Sequence, residues 1–168
     1  MDKLTIKEFE DKSNIEIIEE LMKKNNGYIT SKELDMFDIH RMYLSILRNK
    51  GIIEKVSPGI YIASNKIEDT YYVFSLSMPN VIFSHMTALY FHGLSIKAPN
   101  DVYDITVKRS YNSAHLRKHN VFYVDNDIYE LGLFFFFLPM GNKVKAYDIE
   151  RCICDIIRSK NRMEMEHI

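Results

Sequence analysis

The chain has no tryptophan, only two cysteines and four prolines, and no excess of charge of either sign, with 22 Lys and Arg against 23 Asp and Glu. The cysteines, Cys152 and Cys154, lie two apart in a helical pattern, which turns their side chains about 200° from each other. They are not expected to bond, and two thiols alone make no zinc site. Nothing approaches the roughly 20 apolar residues of a membrane helix; Leu131 to Met140, though very apolar, is too short. The N-terminus is charged and lacks an apolar core region, so no signal peptide is expected and a cytoplasmic protein fits. The balanced charge also withholds the broad cationic field that would advertise a polyanionic partner.

What is present is an ordinary globular composition, 46% hydrophobic and 27% charged, over 168 residues. That length holds one ordinary domain or two small ones. The charge is unevenly spread. From His40 to Ile62 there are four basic residues, Arg41, Arg48, Lys50 and Lys55, against the single acid Glu54, whereas acids predominate from Met1 to Glu20.

The chain is organised around Gly27 to Ile62. Apolar residues at Ile39, Met42, Tyr43, Ile46 and Leu47 recur at helical spacing, which predicts a helix from Ile39 to Lys50 with that face buried. Gly51 follows as a left-handed stop. Two short β-rich runs flank Ser57-Pro58-Gly59 and read as a hairpin. Upstream, Ile15, Ile18, Leu21 and Met22 mark a first helix. Thr30 or Ser31 caps a short second one, with Glu33 at capping-box distance from Thr30, and Asp38 is placed to cap the third. Helix, helix, helix and hairpin in that order predict a winged helix-turn-helix over residues 1–65.

Asn65 to Asp69 reads as a linker and Thr70 as the cap of a helix ending before Pro79. Ser84 to Gly93 predicts a compact helix with Ser84 as N-cap. Tyr103, Ile105 and Val107 alternate as in a half-buried strand, and Val121 to Val124 predicts another. Leu133 to Leu138 is apolar on both faces, the pattern of a central buried strand, and Gly141-Asn142 suits the turn into Val144 to Tyr147. Asp148 caps a last helix whose apolar face would be Ile149, Cys152, Ile153, Ile156 and Ile157. Residues 70–168 are thus expected to form a mixed α+β domain with a small sheet, and the chain as a whole to be α+β.

Several of these segments together resemble the AbiEi family, antitoxins of abortive-infection (type IV) toxin–antitoxin systems. They are Gly27-Tyr28-Ile29-Thr30, the wing Val56 to Tyr61, the block Ser84-His85-Met86-Thr87-Ala88-Leu89, and the helix carrying Glu150-Arg151 and Asp155. The wing is common to many winged helices; the last two motifs, in this order, are more specific. The resemblance covers nearly the whole chain, but family members usually continue with further helical residues, so the chain is expected to be a shortened form. It implies a transcriptional autorepressor that binds inverted repeats of double-stranded promoter DNA through the winged helix. It also implies that the C-terminal domain counteracts a nucleotidyltransferase-like toxin without a stable complex.

For the duplex contact, the face of the third helix opposite Met42, Tyr43, Ile46 and Leu47 carries Arg41, Leu44, Ser45 and Arg48, and Arg41, Ser45 and Arg48 stack on one stripe, as a helix in a major groove requires. Thr30, Ser31 and Lys32 at the start of the second helix are placed to hold phosphates through backbone N–H groups. Lys50, Lys55 and Ser57 lie where the wing would meet the adjacent backbone. A second basic patch is expected from Lys108, Arg109, Arg117 and Lys118. No catalytic residue, metal or cofactor is expected: Ser84 suffices as a helix cap, Asp125-Asn126-Asp127 lacks the Gly-Ser of nucleotidyltransferases, and Arg151 and Asp155 make an i,i+4 salt bridge. The phenylalanine run would stack bases only if exposed, and the core is its expected place. The competing readings are a metal-dependent nuclease carried by the winged helix, using Asp101 or Asp104, and a module that neutralises a toxin by direct binding.

Overall fold

The computed structural model describes residues 12–160, and the chain divides between Ser77 and Met78 into two compact units. The ends of both expected domains, 1–11 and 161–168, lie outside the described residues.

In the first unit, α1 (Asn14–Lys24) opens on a capping box between Ser13 and Glu16 and buries Ile17, Ile18, Leu21 and Met22. Strand β1 (Tyr28–Thr30) runs into α2 (Ser31–Met36), and the Thr30–Glu33 capping box forms as expected. Helix α3 (Met42–Asn49) follows, then the wing strands β2 (Ile53–Ser57) and β3 (Ile60–Ala63). The wing is three-stranded, in the order β1-β3-β2, with antiparallel neighbours. An irregularity between Lys55 and Ser57 shifts the β2 register. The α1 face, Ile29, Leu34, Leu44, Leu47 and Ile53 share one core. This is a winged helix-turn-helix.

Two expectations about α3 are corrected. The helix begins at Met42, not Ile39, because Asp38 turns into the left-handed region at φ +54° and does not cap it. Instead His40 Nδ1 accepts from the Met42 N–H at 3.1 Å. The inward residues are Leu44 (2% exposed) and Leu47, while Met42 is 53% exposed. Ile39 is buried too, but from the preceding turn.

Helix α4 (Thr70–Ser77) was expected in the second domain and is part of the first unit. Its cap is Asp69, whose Oδ1 accepts from Tyr72 N, rather than Thr70. The Asp69 N–H donates to the buried Tyr28 hydroxyl at 2.8 Å, and Tyr72 meets the Tyr28 ring edge-on. Val73 then joins Tyr28, Ile60 and Ile62 in a second small core. A polar stretch can hold a buried anchor that has no periodicity to announce it.

The second unit is built on a five-stranded mixed sheet in the order β6-β5-β4-β8-β7. Its strands are β4 (Ile82–Phe83), β5 (Asp104–Lys108), β6 (Asn120–Val124), β7 (Leu133–Phe137) and β8 (Lys143–Tyr147). Its helices are α5 (His85–Phe91), α6 (Asn126–Tyr129) and α7 (Ile149–Ser159), with a 3-10 turn over Ala114–Lys118. Strand β5 is buried on both faces rather than one, because Asp104 and Thr106 turn their polar groups to the start of α5.

Two larger corrections fall here. Leu133–Phe137 is an edge strand, not a central one, and Phe134, Phe135 and Phe137 are exposed. Helix α7 buries Arg151, Cys152 and Asp155, while Ile153 and Ile157 of its expected apolar face are exposed. Burying that salt bridge turns the isoleucines outward.

Candidate nucleic-acid interface

Helix α3 shows solvent the stripe expected of it. Arg41, Ser45 and Arg48 are all exposed, while Leu44 and Leu47 on the adjoining face are buried, with Lys50 just beyond the last turn. Lys55 on β2 is exposed and Ser57 half-buried. The stripe is not uniformly cationic. Arg41 is gripped by Asp35 through Nε–Oδ1 (3.0 Å) and Nη2–Oδ2 (2.5 Å). These hydrogen bonds hold the Asp35 carboxyl below the usual carboxylate range and raise the Arg41 guanidinium further. Arg48, Lys50 and Lys55 therefore carry the open positive charge of this face.

The expected phosphate cradle at the start of α2 is corrected. The Ser31 N–H donates to the Gly59 carbonyl (2.8 Å), tying the wing turn to the helix, and the Glu33 N–H is taken by Thr30 Oγ1 (3.2 Å). The Thr30 hydroxyl in turn donates to Glu33 Oε2. A side chain at Gly59, which sits at φ +73°, would press on the Ser31 hydroxyl. Thr30 and Ser31 are thus spent on folding, and Lys32 alone remains exposed there.

The expected second patch does not assemble. Strands β5 and β6 are parallel, with Asp104 beside Asn120 and Lys108 beside Val124. Lys108 and Arg109 lie at one end of this pair, whereas Arg117 and Lys118 precede Asn120 at the other, about four residue steps or 13 Å away. Arg109 is paired with Asp125 (2.9 Å), and Lys108 stands over the Tyr129 ring.

Ser84 does not cap α5 with its side chain. Its hydroxyl instead accepts from Thr106 Oγ1 (2.9 Å) and meets His85 Nδ1 at 2.9 Å. His85 is buried, at φ +46°, beside a cavity of about 300 Å³ that Arg109, Phe122, Asp155, Arg158 and Ser159 also line. Burial pushes its pKa down to about 4, so the ring is neutral near pH 7. Cys152 is buried as well, its thiol raised to about 12 by that burial. Asp104 is held by Met86 N and Asn120 Nδ2, which makes it a structural carboxylate. Among the described residues no group of three or more His, Cys, Asp or Glu is placed to hold a metal ion. No helix among them is long and apolar enough to cross a membrane.

Residues 16–63 match the family model of the AbiEi antitoxin, a transcriptional regulator. The matched span runs from α1 to the end of the wing, so the similarity to that family covers the winged helix and not the second unit. Among solved structures, the RV2827C protein from Mycobacterium tuberculosis has the same fold, with a TM-score of 0.54 at 11% identity over 89% of this chain. The chain spans 61% of that protein's length. A comparison with curated proteins found no match.

Sequence reasoning missed Asp35 as the partner of Arg41 and the exposure of Phe135 and Phe137. The signal for Asp35 was an acid on the preceding helix, six residues before Arg41.

Proposed function

We propose that the protein is the antitoxin of a type IV toxin–antitoxin system that represses its own promoter by binding inverted repeats of double-stranded DNA. The observation that carries this reading is the exposed stripe of Ser45 and Arg48 on α3, flanked by Lys50 and by Lys55 of the wing, beside a buried Leu44 and Leu47 that anchor the helix. A helix anchored on one side and open on the other can enter a major groove without disturbing its core. The family model over residues 16–63 supports the regulator role. The partner in this reading is a nucleotidyltransferase-like toxin encoded alongside, counteracted without a stable complex.

The test is binding of the full chain to a duplex carrying its own promoter repeats and to an unrelated duplex, over a range of salt. The promoter is expected to bind more tightly, with a logarithmic salt slope of roughly 3–4, reflecting about 3–5 phosphates per monomer. Arg48→Ala is expected to weaken binding and Ser45→Ala to relax sequence preference. Equal affinity for both duplexes, unchanged by Arg48→Ala, would remove the reading.

A further inference from the structure

The β7–β8 hairpin carries a surface that the duplex reading leaves unused. Phe135 lies directly opposite Lys145, and Phe137 opposite Lys143, so these four side chains share one face of the sheet. Phe134 and Phe136 point to the other face, where Phe136 stacks on Phe91 and Phe134 sits beside His92. The outer pair is open: Phe135 is 45% and Phe137 66% exposed. Lys143 Nζ stands 4.1 Å from the centroid of the Phe135 ring. Lys145 Nζ is steadied by the Pro79 carbonyl at 3.0 Å. Between Glu130 and Asp148 the chain has these two lysines and no acid.

We propose that this face binds a single-stranded polynucleotide, with two successive bases stacked on Phe135 and Phe137, the Lys143 ammonium leaving the Phe135 ring to meet a phosphate and the Lys145 ammonium meeting another. Two aromatic rings one strand repeat apart, about 7 Å, give separate platforms to two bases. Two cations on a hairpin whose own sequence carries no acid complement the phosphate charge. A duplex keeps its base faces stacked inside and offers nothing to these rings. A wholly apolar partner would desolvate the lysines without pairing them. Among the described residues β7 is the outermost strand of the sheet, and none of their strands lies beyond it.

The site lies in the second unit and does not rest on the winged helix. The test is fluorescence anisotropy of the full chain with short labelled oligouridylate, oligothymidylate and a duplex, together with sedimentation of the free protein. At least one single strand is expected to bind, and the two oligomers separate RNA from DNA as the source. Phe135→Leu with Phe137→Leu keeps the apolar bulk but removes the flat rings, and is expected to weaken binding about tenfold. Lys143→Glu is expected to weaken it and flatten its salt dependence, while Arg48→Ala leaves it unchanged. Absence of single-strand binding, or the leucine variant binding like the parent, overturns the proposal. So does a dimer that the leucine variant dissolves with no affinity for either oligomer, since the face would then belong to a second copy.

Discussion

The His85 imidazole lies flat on the Phe122 ring, with centroids 3.5 Å apart and planes 16° from parallel. Burial is the main reason its pKa falls to about 4, against the opposing pull of the Asp155 carboxylate. The unfolded chain therefore binds a proton that the folded chain refuses between about pH 6.5 and pH 4. Stability contributed by this group is complete above pH 6.5 and drains away as the pH falls towards 4. The amount is about 3 kcal/mol. His119, also lowered by burial, acts in the same direction. Denaturant midpoints at pH 7.5, 6 and 5 should fall steadily, and less steeply in His85→Asn, which tolerates the positive φ without titrating. Equal slopes in the two proteins would contradict the assignment.

In the proposed duplex complex Asp35 would compete with phosphate for Arg41, which it holds through two hydrogen bonds. Replacing it by Asn is expected to release the guanidinium to the duplex and steepen the logarithmic salt slope by about 0.9, one phosphate's worth. Arg41→Ala in the parent should change the slope little, since that charge is already answered. A steeper loss in Arg41→Ala than in Arg48→Ala would show that DNA breaks the Asp35 pair on binding.

Thr30 separates folding from binding. Thr30→Ala removes the two hydrogen bonds of the Thr30 hydroxyl with Glu33, leaves the Thr30 N–H on the Glu33 carboxylate, and is expected to destabilise the first unit by about 1 kcal/mol. Duplex affinity measured well below the unfolding temperature should stay within a factor of two or so, because roughly 0.4 kcal/mol is all that factor represents. A large affinity loss without a stability loss would restore Thr30 to the interface.

Arg151 and Asp155 form a buried pair at 2.8 Å, and the guanidinium also donates to the carbonyls of Ile128 and Leu131. Asp155→Ala strands a buried charge and should cost about 3–5 kcal/mol. Replacing both residues together, Arg151→Met with Asp155→Leu, should cost much less than the single change. Denaturant midpoints of the three proteins decide this; a double variant no better than Asp155→Ala would mean that packing, not the stranded charge, sets the loss.

Local chemistry made much of the first unit legible. The capping box of Thr30 and Glu33, the left-handed Gly51 and the Ser57-Pro58-Gly59 turn are written in residues a few positions apart. Those interactions survive in any fold that contains the helix or hairpin. The Arg151–Asp155 bridge was readable for the same reason. The start of α3 was not: Ile39 fits the helical period, yet with Asp38 in the left-handed region and the His40 ring on the Met42 N–H the helix begins three residues later.

What the sequence determined by itself was the order of the main helices and strands, because helix periodicity and end signals act within one or two turns. Tertiary structure alone decided which faces are covered. Five consecutive apolar residues at 133–137 satisfy a central strand and an uncovered edge equally well, and only the pairing of β8 with β4 leaves β7 outermost. The same long-range choice buries Arg151 and exposes Ile153 and Ile157. Burial depends on neighbours distant in the chain, and no local pattern names them.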